Sequence, residues 1–298
     1  MLAMKLIGID VGGTNTRVRV ADSESMEVAD ARLRTRDWLS PAGLHDQEGA
    51  KALLSRAYEL GADRLAALTV GAHGCDSEAQ TRAFKEALQR HHDGPLLVLN
   101  DALLVGPAAG FTDAVGIIAG TGSNVVGRTP EGDPVTAGGY GWMIGDPGSA
   151  PGITRESIRA VQREHDRGHR PGLLAVRLME HFATDTIDDL SLIFTHRASI
   201  HRWAEAAPVV FTAATDGSRL AREVIRAAAD ELAISVGDVL ARRAKADAVV
   251  AAGGVVTAQS LLQDELARAL ADQGIDLPFV VLHDEPVAGA IALARTLI

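Results

Sequence analysis

The sequence is poor in cysteine and aromatic residues and has no long apolar run. Cys75 is the only cysteine among 298 residues, so an intrachain disulfide is excluded. No apolar run reaches the roughly 18 residues that a membrane-spanning helix needs, and no membrane association is expected. The first predicted strand begins at Lys5 and leaves no room for a signal peptide. Together these features predict a cytoplasmic location.

An excess of basic residues is also absent, since the net charge is −10. Nucleic acids and anionic membranes bind basic surfaces, so neither is expected as a partner. A hydrophobic content of 47% with 30 glycines is typical of an α/β enzyme. The length suits two domains of about 150 residues each. Any bound phosphate would have to be neutralised locally by backbone amides and Mg²⁺.

Two glycine-rich turns of the same design recur in the chain. Gly8–Val18 and Gly116–Val126 align position by position, and each predicts a β-hairpin with a tip of small and hydroxyl-bearing residues. Glycines allow backbone N–H groups to approach a ligand closely. Equivalent tips in the two halves predict a duplicated fold that holds a polyphosphate, and therefore a phosphotransferase. The tip residues are Gly12, Gly13, Thr14, Asn15 and Thr16 in the first hairpin and Gly120, Thr121, Gly122 and Ser123 in the second.

Strands and helices alternate after each hairpin, which predicts two similar α/β domains around a cleft. We place the domains at residues 1–112 and 113–285. Apolar periodicity predicts a helix from Trp38 to about Gly61 and a long helix over Ser218–Arg243. Gly152 to about Phe211 is also predicted to be helical, with an interruption near Gly168.

Two carboxylates stand at the ends of apolar strands. Asp10 lies two residues before the first glycine pair, where it either binds the amides of the turn or holds Mg²⁺, and we favour the metal. Asp101 follows Leu96–Leu99 and precedes a helix, at the edge of an α/β sheet where active-site groups collect. It either caps that helix or accepts the proton of an attacking alcohol, and we favour the general base.

Two further glycine-rich segments suit a sugar and a nucleotide. Gly138–Ala150 combines Tyr140 and Trp142 with Asp146, which suits ring stacking and hydroxyl recognition, although its aromatics would equally fill a domain interface. Gly253 and Gly254 end an apolar strand, where small residues let a nucleotide lie against the backbone.

Taken together, these segments resemble the BadF/BadG/BcrA/BcrD-type ATPase family, and within it the N-acetylglucosamine kinases, in the acetate and sugar kinase and actin-like ATPase superfamily. The resemblance extends over nearly the whole chain. The motifs that carry it are Gly8–Thr16, Asn100-Asp101-Ala102, Gly120–Asn124, Gly138–Ala150, Ala252-Gly253-Gly254 and Pro286–Ala290.

The resemblance implies two duplicated actin-like, or ribonuclease H-like, domains. Each would be a mixed sheet with helices on both faces, with an ATP cleft between the domains and the last helix, 286–298, packed on the first domain. It implies a homodimer that uses ATP and Mg²⁺ to phosphorylate N-acetylglucosamine at the 6-hydroxyl. The implied roles are Asp101 as base, Asp10 at the metal, the two tips with Gly253 and Gly254 at ATP, and Asn100, Asp101, Tyr140, Asp146 and Ala150 at the sugar.

The sugar loop departs from the family pattern, so the choice of sugar stays open. Pro147 stands where relatives usually have Glu, and Pro151 where an aromatic commonly follows. Glucosamine, N-acetylmuramic acid and other hexoses are therefore alternatives. A further alternative is an ATPase that energises a partner protein. The iron–sulfur cluster of dehydratase activators and the zinc motif of repressor/open-reading-frame/kinase proteins both need cysteines that this chain lacks.

Overall fold

The computed structural model describes residues 4–24, 27–196 and 199–298, and it contains two five-stranded sheets. The first sheet is formed by β1 (Lys5–Val11), β2 (Asn15–Asp22), β3 (Glu27–Arg34), β4 (Ala67–Ala72) and β5 (Leu96–Leu99). The second is formed by β6 (Ala114–Ala119), β7 (Ser123–Arg128), β8 (Pro134–Gly138), β9 (Ala248–Ala252) and β10 (Phe279–Val281).

The helices are distributed unevenly between the two sheets. The first half contains α1 (Gln47–Glu59), α2 (Glu78–Gln89) and α3 (Val105–Ala108). The second half contains α4 (Ala150–Asp166), α5 (Leu173–Phe182), α6 (Ile187–His196), α7 (Ile200–Glu205), α8 (Ala207–Thr215), α9 (Arg219–Ala241), α10 (Gly254–Ala258), α11 (Ser260–Asp272) and α12 (Val287–Arg295). Short 3-10 helices cover Thr35–Asp37 and Asp101–Leu104.

The two sheets have the same topology. Their strand orders are β3-β2-β1-β4-β5 and, running the other way, β10-β9-β6-β7-β8. In each, three consecutive strands form an antiparallel meander, and the later strands join in parallel after helical crossovers. The prediction of two similar mixed sheets is therefore confirmed.

Helices cover both faces of each sheet. Ile7 and Ile9 of β1 pack with Leu53 of α1 and Phe84 of α2, whereas Leu6 packs with α12 on the opposite face. This alternation follows from the period of two along a strand. In the second sheet, α4, α9 and α11 pack on the face that carries Val115 and Ile117, and α3 packs near Val250 on the other face.

The last helix of the chain packs against the first sheet. Ile291 and Ala294 of α12 lie against Leu6 and Ala67. The approach is close, because a Cβ added to Gly8 would lie 2.9 Å from the Cγ1 atom of Ile291. No helix in the described ranges has the length and apolar character to cross a membrane.

Two helix predictions were wrong in their bounds. The helix predicted from Trp38 begins at Gln47, because Asp46 caps it by accepting from the Gly49 N–H, and residues 38–46 form a loop. The segment after Ser149 forms five helices, α4 to α8, with a break at the left-handed Ala183 (φ 51°) in addition to the one near Gly168. The long helix over Ser218–Arg243 is confirmed as α9.

Candidate active site

The first hairpin tip is held from behind by buried hydroxyl groups. Thr35 donates its hydroxyl to the Gly12 carbonyl (2.7 Å) and its N–H to the Thr14 carbonyl (3.0 Å). The Thr16 hydroxyl is fully buried, lies 3.0 Å from the Thr35 hydroxyl, and accepts from the indole of Trp38 (2.9 Å). Thr16 therefore stabilises the conformation of the tip, and its hydroxyl is not free to bind a ligand. The predicted nucleotide contacts of Gly12, Gly13, Thr14, Asn15 and Thr16 stay predictions.

The second tip is tied to the glycine-rich loop of its own half. The hydroxyl of Ser123 is buried and donates to the Pro147 carbonyl at 2.6 Å. The Gly120 carbonyl accepts the N–H of Ala150 at 2.8 Å. A Cβ on Gly122 would lie 3.2 Å from a carboxylate oxygen of Asp146. The tip and the predicted sugar loop therefore form one structural unit, and Ser123 is a link within it.

Asp101 lies in the first turn after β5. Its carboxylate accepts the Ala102 N–H at 3.1 Å. Burial, with a smaller contribution from Asp76, raises the pKa of Asp101, whereas His73 and backbone donors lower it, and the resulting pKa is about 6. A carboxyl with a pKa near 6 is a proton acceptor matched to neutral pH.

Asn100, the residue before the candidate base, is fully engaged within the protein. It is 3% exposed, donates its amide to Asp76 at 2.8 Å, and accepts the Ala102 N–H at 3.0 Å. It therefore caps the 3-10 helix that begins at Asp101. This arrangement supports a role in holding Asp101 and Asp76, and the predicted sugar contact of Asn100 stays a prediction.

Asp10 is surrounded by negative charge. Burial, together with the charges of Asp101 and Glu285, raises its pKa to about 7. A divalent cation would relieve this repulsion. No group of three or more histidine, cysteine or carboxylate ligands occurs in the described ranges. The donor set therefore fits Mg²⁺, which binds through one or two carboxylates together with phosphates and water, rather than a metal that needs a full protein cage.

His73 connects the two halves, and sequence reasoning missed it. It directly follows β4, and its N–H donates to the Val11 carbonyl at 2.8 Å. Its ring lies near the first tip, because a Cβ on Gly13 would be 3.9 Å from the His73 Cδ2 atom. A charged His73 lowers the pKa of both Asp101 and Asp146. Its place at the carboxyl end of a buried parallel strand is the signal that would have identified it.

The carboxyl group of Asp146 is the fixed polar group of the predicted sugar loop. Asp146 has a left-handed backbone (φ 56°) and is 6% exposed. One carboxylate oxygen accepts the Gly141 N–H at 3.1 Å, and burial raises the pKa of the group. Ser149 donates its hydroxyl to the Asp146 carbonyl at 2.7 Å and caps α4. Pro151 lies in the first turn of α4, a position that proline favours.

The aromatic residues of this loop have different surroundings. Trp142 packs against Trp203 with ring centroids 5.0 Å apart, and Trp203 in turn contacts Phe194. Tyr140 is 75% exposed. Trp142 therefore packs within the second half and not between the halves, whereas Tyr140 is free to meet a ligand.

A cavity of about 320 Å³ adjoins the second tip. Gly120 and Thr121 form one side, and Gly254 and Val255 form another. Gly253 makes this junction possible, because its φ is 112° and a Cβ there would lie 2.5 Å from the Ala119 carbonyl oxygen. The remaining wall comes from α4, α7, α8 and the α10–α11 junction, through Ala150, Ala204, Ala207, Pro208, Phe211, Ala258 and Gln259.

The structure thus groups the predicted residues into two neighbourhoods. Asp10 and Asp101 interact electrostatically, and His73 links them to Asp146. Gly120, Thr121, Gly254 and Ala150 meet at the cavity. Ala150 was predicted to lie beside the sugar. In the structure it lines the cavity.

Comparisons with known proteins identify the family of the chain. The profile of the BadF/BadG/BcrA/BcrD ATPase family matches residues 7–294. An N-acetylmuramic acid/N-acetylglucosamine kinase of Clostridium acetobutylicum is 25% identical, with 98% of both chains covered. An N-acetyl-D-glucosamine kinase of Dictyostelium discoideum is also 25% identical, with 97% of both chains covered. A crystal structure from Chromobacterium violaceum is similar to this chain, with a TM-score of 0.72 at 22% identity. The similarity covers 98% of this chain and 99% of that one, which is provisionally described as an N-acetylglucosamine kinase.

Proposed function

The chain belongs to the BadF/BadG/BcrA/BcrD ATPase family, and we propose that it transfers the γ-phosphate of ATP to the 6-hydroxyl of N-acetylglucosamine. The broader prediction of an ATP-dependent phosphotransferase is confirmed by the family and by the kinase relatives. The sugar, its reacting hydroxyl and the roles of individual residues belong to the proposal.

The observation that supports this proposal best is that the candidate carboxylates share charged neighbours. Asp101 raises the pKa of Asp10, and His73 lowers the pKa of Asp101 and, to a smaller extent, of Asp146. The proposed base, the proposed metal ligand and the proposed sugar-binding carboxylate therefore belong to one electrostatic neighbourhood. Phosphoryl transfer to an alcohol needs these three functions in one place.

In the proposed reaction, Asp101 accepts the proton of the sugar hydroxyl as its oxygen attacks the γ-phosphorus. Its raised pKa suits that task at neutral pH. The two glycine-rich tips bind the phosphates through backbone N–H groups. Asp10 would hold Mg²⁺, which neutralises charge on the phosphate oxygens when it is bound. Asp146 accepts hydrogen bonds from sugar hydroxyls and fixes the ring.

The cavity beside the second tip is the proposed site of the nucleoside. It adjoins Gly120 and Thr121 at its phosphate end and is large enough for a purine and part of a ribose. Its apolar wall suits the faces of a flat base.

The name of the Clostridium relative makes N-acetylmuramic acid the second candidate acceptor. The exposed position of Tyr140 is compatible with a larger substituent on the sugar, since nothing in the described ranges encloses that ring. A homodimer and a cytoplasmic location remain part of the proposal.

A coupled assay of ADP release with Mg²⁺ and ATP tests the substrate. We expect the highest kcat/KM for N-acetylglucosamine, followed by N-acetylmuramic acid and then glucosamine. The matched control is 6-deoxy-N-acetylglucosamine, which lacks only the acceptor oxygen and should inhibit without being phosphorylated. Equal rates with glucosamine would contradict the N-acetyl preference. ATP hydrolysis that responds to a partner protein and to no sugar would instead support the energising ATPase.

A further inference from the structure

We infer that the phosphoryl donor site does not discriminate 6-amino from 6-oxo purines, so that GTP and ITP serve as donors alongside ATP. This inference rests on the proposed function, because it places the purine in the 320 Å³ cavity. It follows from the polar groups that the cavity lining offers to a base.

The lining has few polar side chains. Among the described residues that line the cavity, only Thr121 and Gln259 carry a polar side-chain group. Thr121 belongs to the second tip, at the phosphate end. Gln259 is therefore the side chain left to meet the edge of a base. The other side chains are small or apolar and contact a purine face without regard to its substituents.

Several backbone groups around the cavity are already paired. The carbonyls of Pro208 and Phe211 accept the hydroxyls of Thr212 and Thr215 at 2.9 and 3.1 Å. Pro208 has no N–H. The Gly120 N–H donates to the Gly122 carbonyl, and the Gly120 carbonyl accepts from Ala150. These groups do not supply the fixed donor and acceptor pair with which a site recognises adenine.

The side-chain amide of Gln259 makes no hydrogen bond with a described residue. The backbone carbonyl of Gln259 accepts the Leu262 N–H. By contrast, the amide of the neighbouring Gln263 is held by the Val256 carbonyl at 2.7 Å. A glutamine amide has both a carbonyl acceptor and an NH₂ donor. By rotating, Gln259 can accept from the 6-amino group of adenine or donate to the 6-oxo group of guanine and hypoxanthine.

Strong discrimination needs a buried polar group that the wrong ligand leaves unpaired. A rotating amide in an otherwise apolar wall never imposes that penalty. We therefore expect kcat/KM for ATP, GTP and ITP to lie within about tenfold of one another at a saturating sugar concentration. Dissociation constants of ADP, GDP and IDP, measured by calorimetry without sugar, should lie within the same range.

Two variants test the origin of this behaviour. Gln259→Leu should lower kcat/KM for ATP and GTP by a similar factor, about three- to tenfold, and leave their ratio unchanged. Phe211→Ala should weaken the binding of ADP and GDP together, since it removes part of the apolar wall. Gln273→Leu, the same substitution at the exposed end of α11, is the matched control and should change neither value.

A preference for ATP over both GTP and ITP of more than about tenfold would overturn the inference. So would a Gln259→Leu variant that loses one purine selectively. The calorimetric measurements of nucleotide binding test this inference separately from the proposed function. If nucleotides bind with equal affinity but no sugar is phosphorylated, the acceptor assignment fails and the inference stands. If no nucleotide binds, the inference fails.

Discussion

The two hairpin tips have the same backbone design but opposite chemical environments. Asp10 in the first hairpin aligns with Ile118 in the second, so the strand that carries a buried carboxyl in one half carries an apolar side chain in the other. The carboxylate beside the first tip therefore comes from the hairpin strand itself, whereas the carboxylate beside the second tip, Asp146, comes from the glycine-rich loop.

The residues that follow the parallel neighbour strand differ in a similar way. The pairing of β1 with β4 and of β6 with β9 makes His73 the counterpart of Gly254. The first half has an imidazole at this position, and it lowers the pKa of Asp101 and of Asp146. The second half has no side chain there, and the cavity is open beside Gly254. At this position one half therefore has a titratable side chain, and the other has an open cavity.

The largest effect should come from the charged half. Asp101→Asn keeps the size of the side chain but removes the proton acceptor, so we expect kcat to fall by about 10²-fold or more while ADP binding is nearly unchanged. Steady-state kinetics and calorimetry measure the two quantities. Asp133→Asn, at an exposed turn, is the matched control. Near-normal turnover would show that Asp101 is only a helix cap.

A substitution in the second tip should affect both substrates. Gly122→Val places side-chain atoms where Cβ alone is 3.2 Å from the Asp146 carboxylate. We expect KM to rise about tenfold or more for the nucleotide and for the sugar, because the tip and the sugar loop move together. Gly172→Val, at an exposed glycine with open space around it, controls for the substitution itself. A rise in only one KM would show that the two segments act separately.

The charge of His73 should be visible in the pH profile. Asp101 must be ionised to act as a base, and its pKa is about 6, so kcat/KM for the sugar should rise through about pH 6 and level off above it. His73 lowers the pKa of Asp101. His73→Gln removes that influence and should move the rise to higher pH. His165→Gln, at an exposed site on α4, should leave the profile in place, and an unmoved profile for His73→Gln would contradict the link.

The smallest effects should come from the residues that hold each tip. Trp38→Phe removes the donor to Thr16, and Ser123→Ala removes the donor to Pro147. Each should lower the free energy of unfolding by about 1 kcal/mol, measured by urea denaturation. Only Ser123→Ala should also raise KM for the sugar, because Ser123 is tied to the sugar loop. A similar rise of KM for the sugar in Trp38→Phe would show that both tips, and not only the second, affect sugar binding.

Much of the fold was predictable because its signals are local. The apolar runs of β1, β4, β6 and β9 and the glycines between paired strands are readable from neighbouring residues. The start of α1 was misplaced because Trp38 is apolar and fits the apolar stripe of a helix. In the structure Trp38 lies in a loop, and its indole donates to the Thr16 hydroxyl. A hydrogen bond across 22 positions in the chain has no local signal.

The sequence by itself determined the repeated hairpins, the strand-end positions of Asp10 and Asp101, and the family, because each depends on residue type and spacing within a short segment. Only the tertiary structure decided that residues 204–211, which carry no motif, form the wall of the cavity. Only it decided that the charge of His73 reaches Asp146 of the other half and lowers its pKa. Both contacts arise when distant segments pack together, and their free energy depends on distances that no local pattern encodes.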